Sequence, residues 1–109
     1  MAWTLANSGT TAALSIGSET TLATNTSNGT FVAQVDTSNL VLGDALTIRL
    51  YTINLSGGSL TQTWEASYAN VQSNNMKVTP FIASDQSFRV TLTQTTGTGR
   101  TFAWKILSQ

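Results

Sequence analysis

The chain reads as an all-β protein, a single antiparallel β-sandwich or jelly-roll-like domain of about eight short strands. Three observations predict this. Apolar and polar residues alternate with period two in almost every segment, and no segment sustains a helical period. Thr, Val, Ile and aromatic residues fill those segments, as a half-buried pleated surface favours. Clusters of Gly, Asn, Asp and Ser interrupt them about every 8–12 residues, the spacing of turns between short strands.

Taken in order, residues 1–10 are expected as an N-terminal arm and residues 11–109 as the sandwich domain, with no repeat and no interior boundary. Residues 11–16 and 20–24 are short Thr-rich strand candidates. A turn over residues 25–29 leads into a strand over 30–35, with Phe31, Ala33 and Val35 inward. Residues 39–44 form a turn-rich connection.

A hairpin spans residues 45–68 around Gly57-Gly58. Its first arm changes phase, from Leu46, Ile48 and Leu50 on one face to Tyr51, Ile53 and Leu55 on the other, which a bulge near Leu50-Tyr51 would explain. The register stays open between a pairing of Tyr51 with Trp64 and one of Leu50 with Ala66. Residues 76–82 form a weaker strand, and Pro80 places it at a sheet edge. Residues 88–93 alternate most clearly, with Phe88, Val90 and Leu92 on one face. Residues 101–107 follow, with Phe102, Trp104 and Ile106 aligned, and the linker 95–99 reads as a hairpin turn between the two strands.

Composition then bounds function. Charged residues make up 9% of the chain, five basic and five acidic, against about 25% in an ordinary soluble domain. Uncharged polar residues (20 Thr, 12 Ser, 8 Asn and 6 Gln) supply the surface instead. Zero net charge argues against a nucleic-acid partner, which needs clustered Lys and Arg. The absence of Cys and His removes disulfides, thiol nucleophiles, imidazole bases and most transition-metal sites, so no cofactor and no metal are expected. No apolar run reaches signal-peptide or membrane length, so the expectation is synthesis and folding in the cytosol with no membrane partner.

The carboxylates Glu19, Asp36, Asp44, Glu65 and Asp85 are dispersed, and their ordinary roles are solvation and turn-making. An enzyme is therefore not expected, and no catalytic residue is assigned. Arg49, Lys77, Arg89 and Lys105 take the outward phase of separate strands, which solvates those faces and discourages wrong strand pairing. Gly97-Thr98-Gly99-Arg100 superficially resembles a phosphate loop, but no helix follows it. Trp64 and Trp104 share the phase of core residues. Trp3 stands beside Leu5 outside any complete strand pair, where it either plugs the end of the sandwich or docks on a neighbour.

Several stretches resemble small structural proteins of tailed bacteriophages. They are Thr21-Leu22-Ala23-Thr24, Asn28-Gly29-Thr30-Phe31, Val35-Asp36-Thr37-Ser38-Asn39-Leu40, residues 43–51 (GDALTIRLY) and residues 94–105 (QTTGTGRTFAWK). The likeness runs over most of the chain from about residue 10. It implies a virion protein of the capsid decoration, or cement, type, which binds the outside of the major-capsid-protein shell and reinforces it. The resemblance also implies a homo-oligomer, a trimer by preference, attached through an N-terminal arm and located on the virion surface after synthesis in the bacterial cytoplasm. The protein-interface residues expected on this basis are Trp3, Leu5, Leu14, Ile16 and Phe81. The alternatives are a surface adhesion or carbohydrate-binding module, with Tyr51, Tyr68, Phe81 or Trp3 on one platform, and a head–tail or tail subunit forming rings.

Overall fold

A computed structural model describes residues 3–109. Nine strands occur among them: β1 (Thr4–Thr10), β2 (Glu19–Asn25), β3 (Gly29–Asp36), β4 (Ala45–Thr52), β5 (Thr61–Ala69), β6 (Met76–Val78), β7 (Ile82–Ser84), β8 (Phe88–Thr96) and β9 (Ala103–Ser108). They form two antiparallel sheets. Sheet I has the order β1-β9-β3-β6, with β7 also paired to β3, and sheet II has the order β2-β8-β4-β5. Chain-consecutive strands thus alternate between the sheets, except at the β4–β5 hairpin and along the β6–β7 edge. With β6 and β7 counted as one interrupted strand, eight strands wind as a jelly roll.

The interruption has a local cause. Pro80 cannot donate to a ladder, so Met76–Val78 pairs with Gln34–Asp36 and Ile82–Ser84 pairs with Gly29–Phe31. Between them Thr79 keeps the edge attached: its N–H donates to the Ala33 carbonyl and its Oγ1 accepts from the Ala33 N–H, each at 2.9 Å.

The core lies between the sheets. Phe31, Ala33, Val35, Phe102 and Ile106 from sheet I and its approaches meet Leu46, Ile48, Leu50, Phe88, Val90 and Leu92 from sheet II. Phe31 stacks on Phe88 with centroids 5.0 Å apart, and these eleven side chains are at most 1% exposed. Fully burying each of them except the small Ala33 contributes about 1.5–3 kcal/mol. The bulge falls at Leu50/Tyr51, and the hairpin register is Leu50 with Trp64 and Ile48 with Ala66. Neither anticipated register holds. The bulge adds a residue to β5, so Tyr51 pairs with Gln62.

Four further expectations change. Residues 95–99 do not close a hairpin, because β8 belongs to sheet II and β9 to sheet I. The segment is an arch between sheets, which alternation within each strand could not distinguish from a turn. Residues 11–16 form no strand; they cross from β1 to β2, tied to the arch by Leu14 N–H to the Arg100 carbonyl at 3.1 Å. Residues 4–10 of the expected arm form β1, which pairs along β9 from Thr4–Ser108 to Thr10–Ala103 with a bulge between Leu5 and Asn7. Lys77 does not face outward: it pairs with the buried Val35, and its Nζ lies 4.7 Å from the centre of the Tyr68 ring.

Candidate protein interface

In an antiparallel sheet, residues directly opposite one another share a face. On sheet I this rule lines up Leu5, Leu107 and Val32, and next to them Lys105, Gln34 and Val78, on the outer face. Met76, opposite Asp36, belongs to the same face. Trp3 lies two residues before Leu5, and Phe81 precedes the inward Ile82, so both project outward. Strands β9 and β3 separate their points of origin, yet the two rings meet with centroids 5.2 Å apart. The aromatic pair therefore lies across the outer face over β9 and β3, where Val32, although on the outside of the sandwich, is 3% exposed.

Around this pair the apolar surface is open to water. Phe81 is 67% exposed, Leu5 56%, Met76 52% and Val78 51%. Toward the other end of the face a shallow depression of about 420 Å³ is lined by Ser8, Thr10, Gln34, Asp36, Met76 and Lys105. Edge strand β1 bounds the face and carries no charged residue.

The outer face of sheet II is arranged differently. Tyr51 Oη and Thr91 Oγ1 both donate to Glu19 Oε2. Arg49 bonds Glu65 Oε1 at 2.7 Å and Thr93 Oγ1 at 3.2 Å, Thr47 pairs with Ser67 at 2.9 Å, and Arg89 bonds Thr24 Oγ1 at 3.0 Å. Thr47, Thr91 and Thr93 are buried beneath these partners even though they face outward. The hydroxyls of Thr91 and then Tyr51 hold the Glu19 carboxyl below its ordinary range, and the bond to Glu19, helped by burial, raises the Tyr51 phenol.

The arch is a third polar assembly, joining the sheets. Gln94 is fully buried; its Nε2 donates to the carbonyls of Thr96 and Thr98, and its Oε1 accepts from Arg100 N–H at 2.9 Å. Asp44, 2% exposed, accepts from Val41 N–H, Thr98 N–H and Arg100 Nε at 3.1, 3.2 and 2.8 Å. Burial pulls its carboxyl upward, but the Val41 amide, the Arg100 guanidinium and the Thr98 amide together hold it below the ordinary value. A side chain at Gly97 would collide with Asp44 and one at Gly99 with the Leu14 carbonyl, so both glycines are needed for this close approach.

Of the five residues expected at an interface, the structure brings Trp3, Leu5 and Phe81 together on the outer face of sheet I. Ile16, 43% exposed, lies at the opposite end of the sandwich, where Gly17 N–H reaches the Gln94 carbonyl. Leu14 is a correction: it is 6% exposed and belongs to the core, because the 11–18 crossover folds it under the arch. Met76 and Val78 were missed as interface residues because an outward Lys77 assigns both neighbours to the inside, whereas the strand alternates in the opposite phase.

Of the four aromatics expected on a carbohydrate-binding platform, only Trp3 and Phe81 share a face. Tyr51 is outside sheet II, Tyr68 pairs with the buried Leu46 beneath Lys77, and Trp3 and Phe81 are outside sheet I. Among the described residues no three of His, Cys, Asp and Glu gather as a metal site, and no helix is long and apolar enough to cross a membrane. Comparison with protein-family models, curated proteins and solved structures gives no match to this chain.

Proposed function

We propose that the protein is a non-enzymatic virion component, a capsid decoration protein that docks on the outer surface of the major-capsid-protein shell and reinforces it. The observation that carries the reading is the uncovered apolar face of sheet I, where Trp3, Leu5, Phe81, Val78 and Met76 stand on a rigid sheet beside an uncharged edge strand. Aromatic anchors of this kind dominate protein–protein binding energy. The resemblance to small phage structural proteins supplies the shell as partner. The jelly-roll winding is compatible with that role, since it recurs in viral coat domains, although fold by itself does not assign function.

A repeating shell also suits the composition. Modest affinity per copy suffices when contacts are multiplied over a lattice, and ten charges on 109 residues keep repulsion low between crowded copies. The direct experiment mixes purified protein with mature, undecorated capsids and sediments the particles. Saturable co-sedimentation supports the role, and its absence across salt and pH conditions removes it.

A further inference from the structure

Asn28-Gly29 is the one Asn-Gly pair in the chain; the other seven asparagines precede residues that carry a Cβ. Strand runs joined by Asn-Gly suggest a tight hairpin, yet β2 belongs to sheet II and β3 to sheet I, so the pair makes no hairpin turn here. Among the described non-glycine residues positive φ occurs at Asn70 alone, so no left-handed backbone calls for asparagine at position 28. The turn is held instead by Asn25, whose Oδ1 accepts from Ser27 N–H at 2.9 Å. Asn28 is exposed, and its carboxamide makes no hydrogen bond among the described residues.

Gly29, by contrast, is required. Its φ is 156°, and a Cβ there would stand 3.1 Å from the Gln109 carbonyl oxygen. An unbonded carboxamide followed by a main-chain nitrogen that no Cβ shields is the pairing that closes a succinimide ring most readily.

That nitrogen is weakly guarded. Gly29 forms the first rung of β3, opposite Ser84 at the end of β7. Strand β7 has three residues and is cut off from β6 at Pro80. Ser84 is 8% exposed, and its Oγ is buried with no hydrogen-bond partner among the described residues. A hydroxyl buried unpaired gains a bond to water when the rung opens, and terminal rungs open at low cost. Opening frees the Gly29 nitrogen for attack.

We propose that Asn28-Gly29 is a self-modifying site, at which Asn28 converts to aspartate and isoaspartate in the folded protein and the isoaspartyl form detaches β7 from the start of β3. The Gly29 nitrogen loses its proton to hydroxide and attacks Asn28 Cγ. The N–Cγ bond forms, the Cγ–Nδ2 bond breaks, and Nδ2 takes a proton from water and leaves as ammonia. Water then opens the ring. Attack at Cγ restores the ordinary backbone with an aspartate, whereas attack at the main-chain carbonyl carbon leaves Gly29 bonded through Cγ, an isoaspartate with one extra backbone carbon. Nothing is oxidised or reduced, and water is the sole reactant consumed. The extra carbon enters directly before the Gly29–Ser84 rung and the Thr30–Gln109 pair, bonded at 3.2 and 3.0 Å, so both shift out of register. This chemistry goes beyond the proposed docking on a shell and does not depend on it.

The test incubates the purified, folded full chain at neutral and mildly alkaline pH and follows it by ion-exchange chromatography and peptide mass spectrometry. An acidic species should accumulate, faster at the higher pH, with its new carboxylate at Asn28 and the other seven asparagines unchanged. Asn28→Gln should accumulate none over the same period, because its longer side chain must close a larger ring. Amide hydrogen exchange over Ile82–Ser84 should be at least ~10-fold faster in the isolated isoaspartyl form than in the unmodified chain. Freshly prepared Asn28→Asp, which has the charge without the extra carbon, should exchange like wild type. Circular dichroism checks that both variants are folded, and the wild-type time course needs neither. Absence of an acidic species, conversion centred on another asparagine, Asn28→Gln converting at the wild-type rate, an isoaspartyl form with wild-type exchange, or equally fast exchange in Asn28→Asp would each overturn the proposal. Capsids play no part in the experiment, so its failure is separate from failure of the docking role.

Discussion

On the outer face of sheet II, Thr47, Thr91 and Thr93 lie buried beneath Ser67, Glu19 and Arg49, and the main polar side chains are bonded to one another. On the outer face of sheet I, Leu5, Phe81, Val78 and Met76 are more than half exposed, and Trp3 has Phe81 as its ring partner. Both faces belong to one sandwich, share one core and are four strands wide along their main path. The difference teaches that this chain completes one surface internally and leaves apolar side chains uncovered on the other, the face proposed to dock on a shell. A face that has satisfied its hydroxyls across strands gains little from a second protein, whereas an exposed aromatic pair gains on every contact that excludes water.

The largest expected effect falls on the open face. The double substitution Trp3→Asp/Phe81→Asp should weaken capsid co-sedimentation by a factor of 100 or more, about 2.7 kcal/mol, as expected for central aromatic anchors. Phe81 is exposed but Trp3 is half-buried against it and the pair covers Val32, so the chemical denaturation midpoint should fall modestly, by about 1 kcal/mol, with the fold retained by circular dichroism. A similar loss of binding from substitutions on sheet II would erase the distinction between the faces.

Next in size is the junction holding the two sheets in register. Asp44→Ala leaves the Val41 and Thr98 amides and Arg100 without their acceptor. With Arg100 31% exposed and able to turn to water, the cost should be about 2 kcal/mol in urea denaturation, below the 3–5 kcal/mol of a fully buried pair. Glu19→Ala should cost less, about 1 kcal/mol, because it frees the hydroxyls of Tyr51 and Thr91 and only Thr91 is deeply buried. A melting temperature lower by roughly 5 °C, with capsid binding retained, is the expected result.

The smallest effect is a pH dependence of stability. Glu19 and Asp44 both titrate lower in the folded protein than in the unfolded chain. Their contribution is complete above about pH 5 and is lost as pH falls through the folded-state values, below the ordinary carboxylate range near pH 4. Tyr51 is shifted upward, so its contribution holds at neutral pH and is lost as pH rises past the ordinary tyrosine range near 10. Melting curves on Glu19→Ala and Tyr51→Phe should show a flatter acid limb and a flatter alkaline limb respectively.

The sandwich itself was legible because period-two alternation marks every long strand, and the Leu50/Tyr51 bulge was visible as a break in phase. Pro80 likewise announced an edge. The arch was not legible. Whether a Gly-rich linker closes a hairpin or crosses between sheets depends on Gln94, Asp44 and Arg100, which meet only in the folded chain and are separated by up to 56 positions. Strand β1 was hidden because its bulge breaks the alternation and places Asn7 opposite Ile106 on the inner side. Trp3 and Phe81 each stood out as interface candidates, but their contact across two intervening strands, which leaves Trp3 half-buried, followed only from the topology. Leu14 looked available because its segment resembled a strand, and the crossover buried it instead.

Docking through the outer face of sheet I is most directly tested by hydroxyl-radical footprinting of the protein, free and bound to undecorated capsids. The two faces carry reactive reporters of their own: Trp3, Phe81 and Met76 on sheet I, and Tyr51 on sheet II. The expected result is loss of oxidation at Trp3, Phe81 and Met76 on binding, with Tyr51 unchanged. Protection of Tyr51 with Trp3, Phe81 and Met76 still reactive would contradict docking through sheet I.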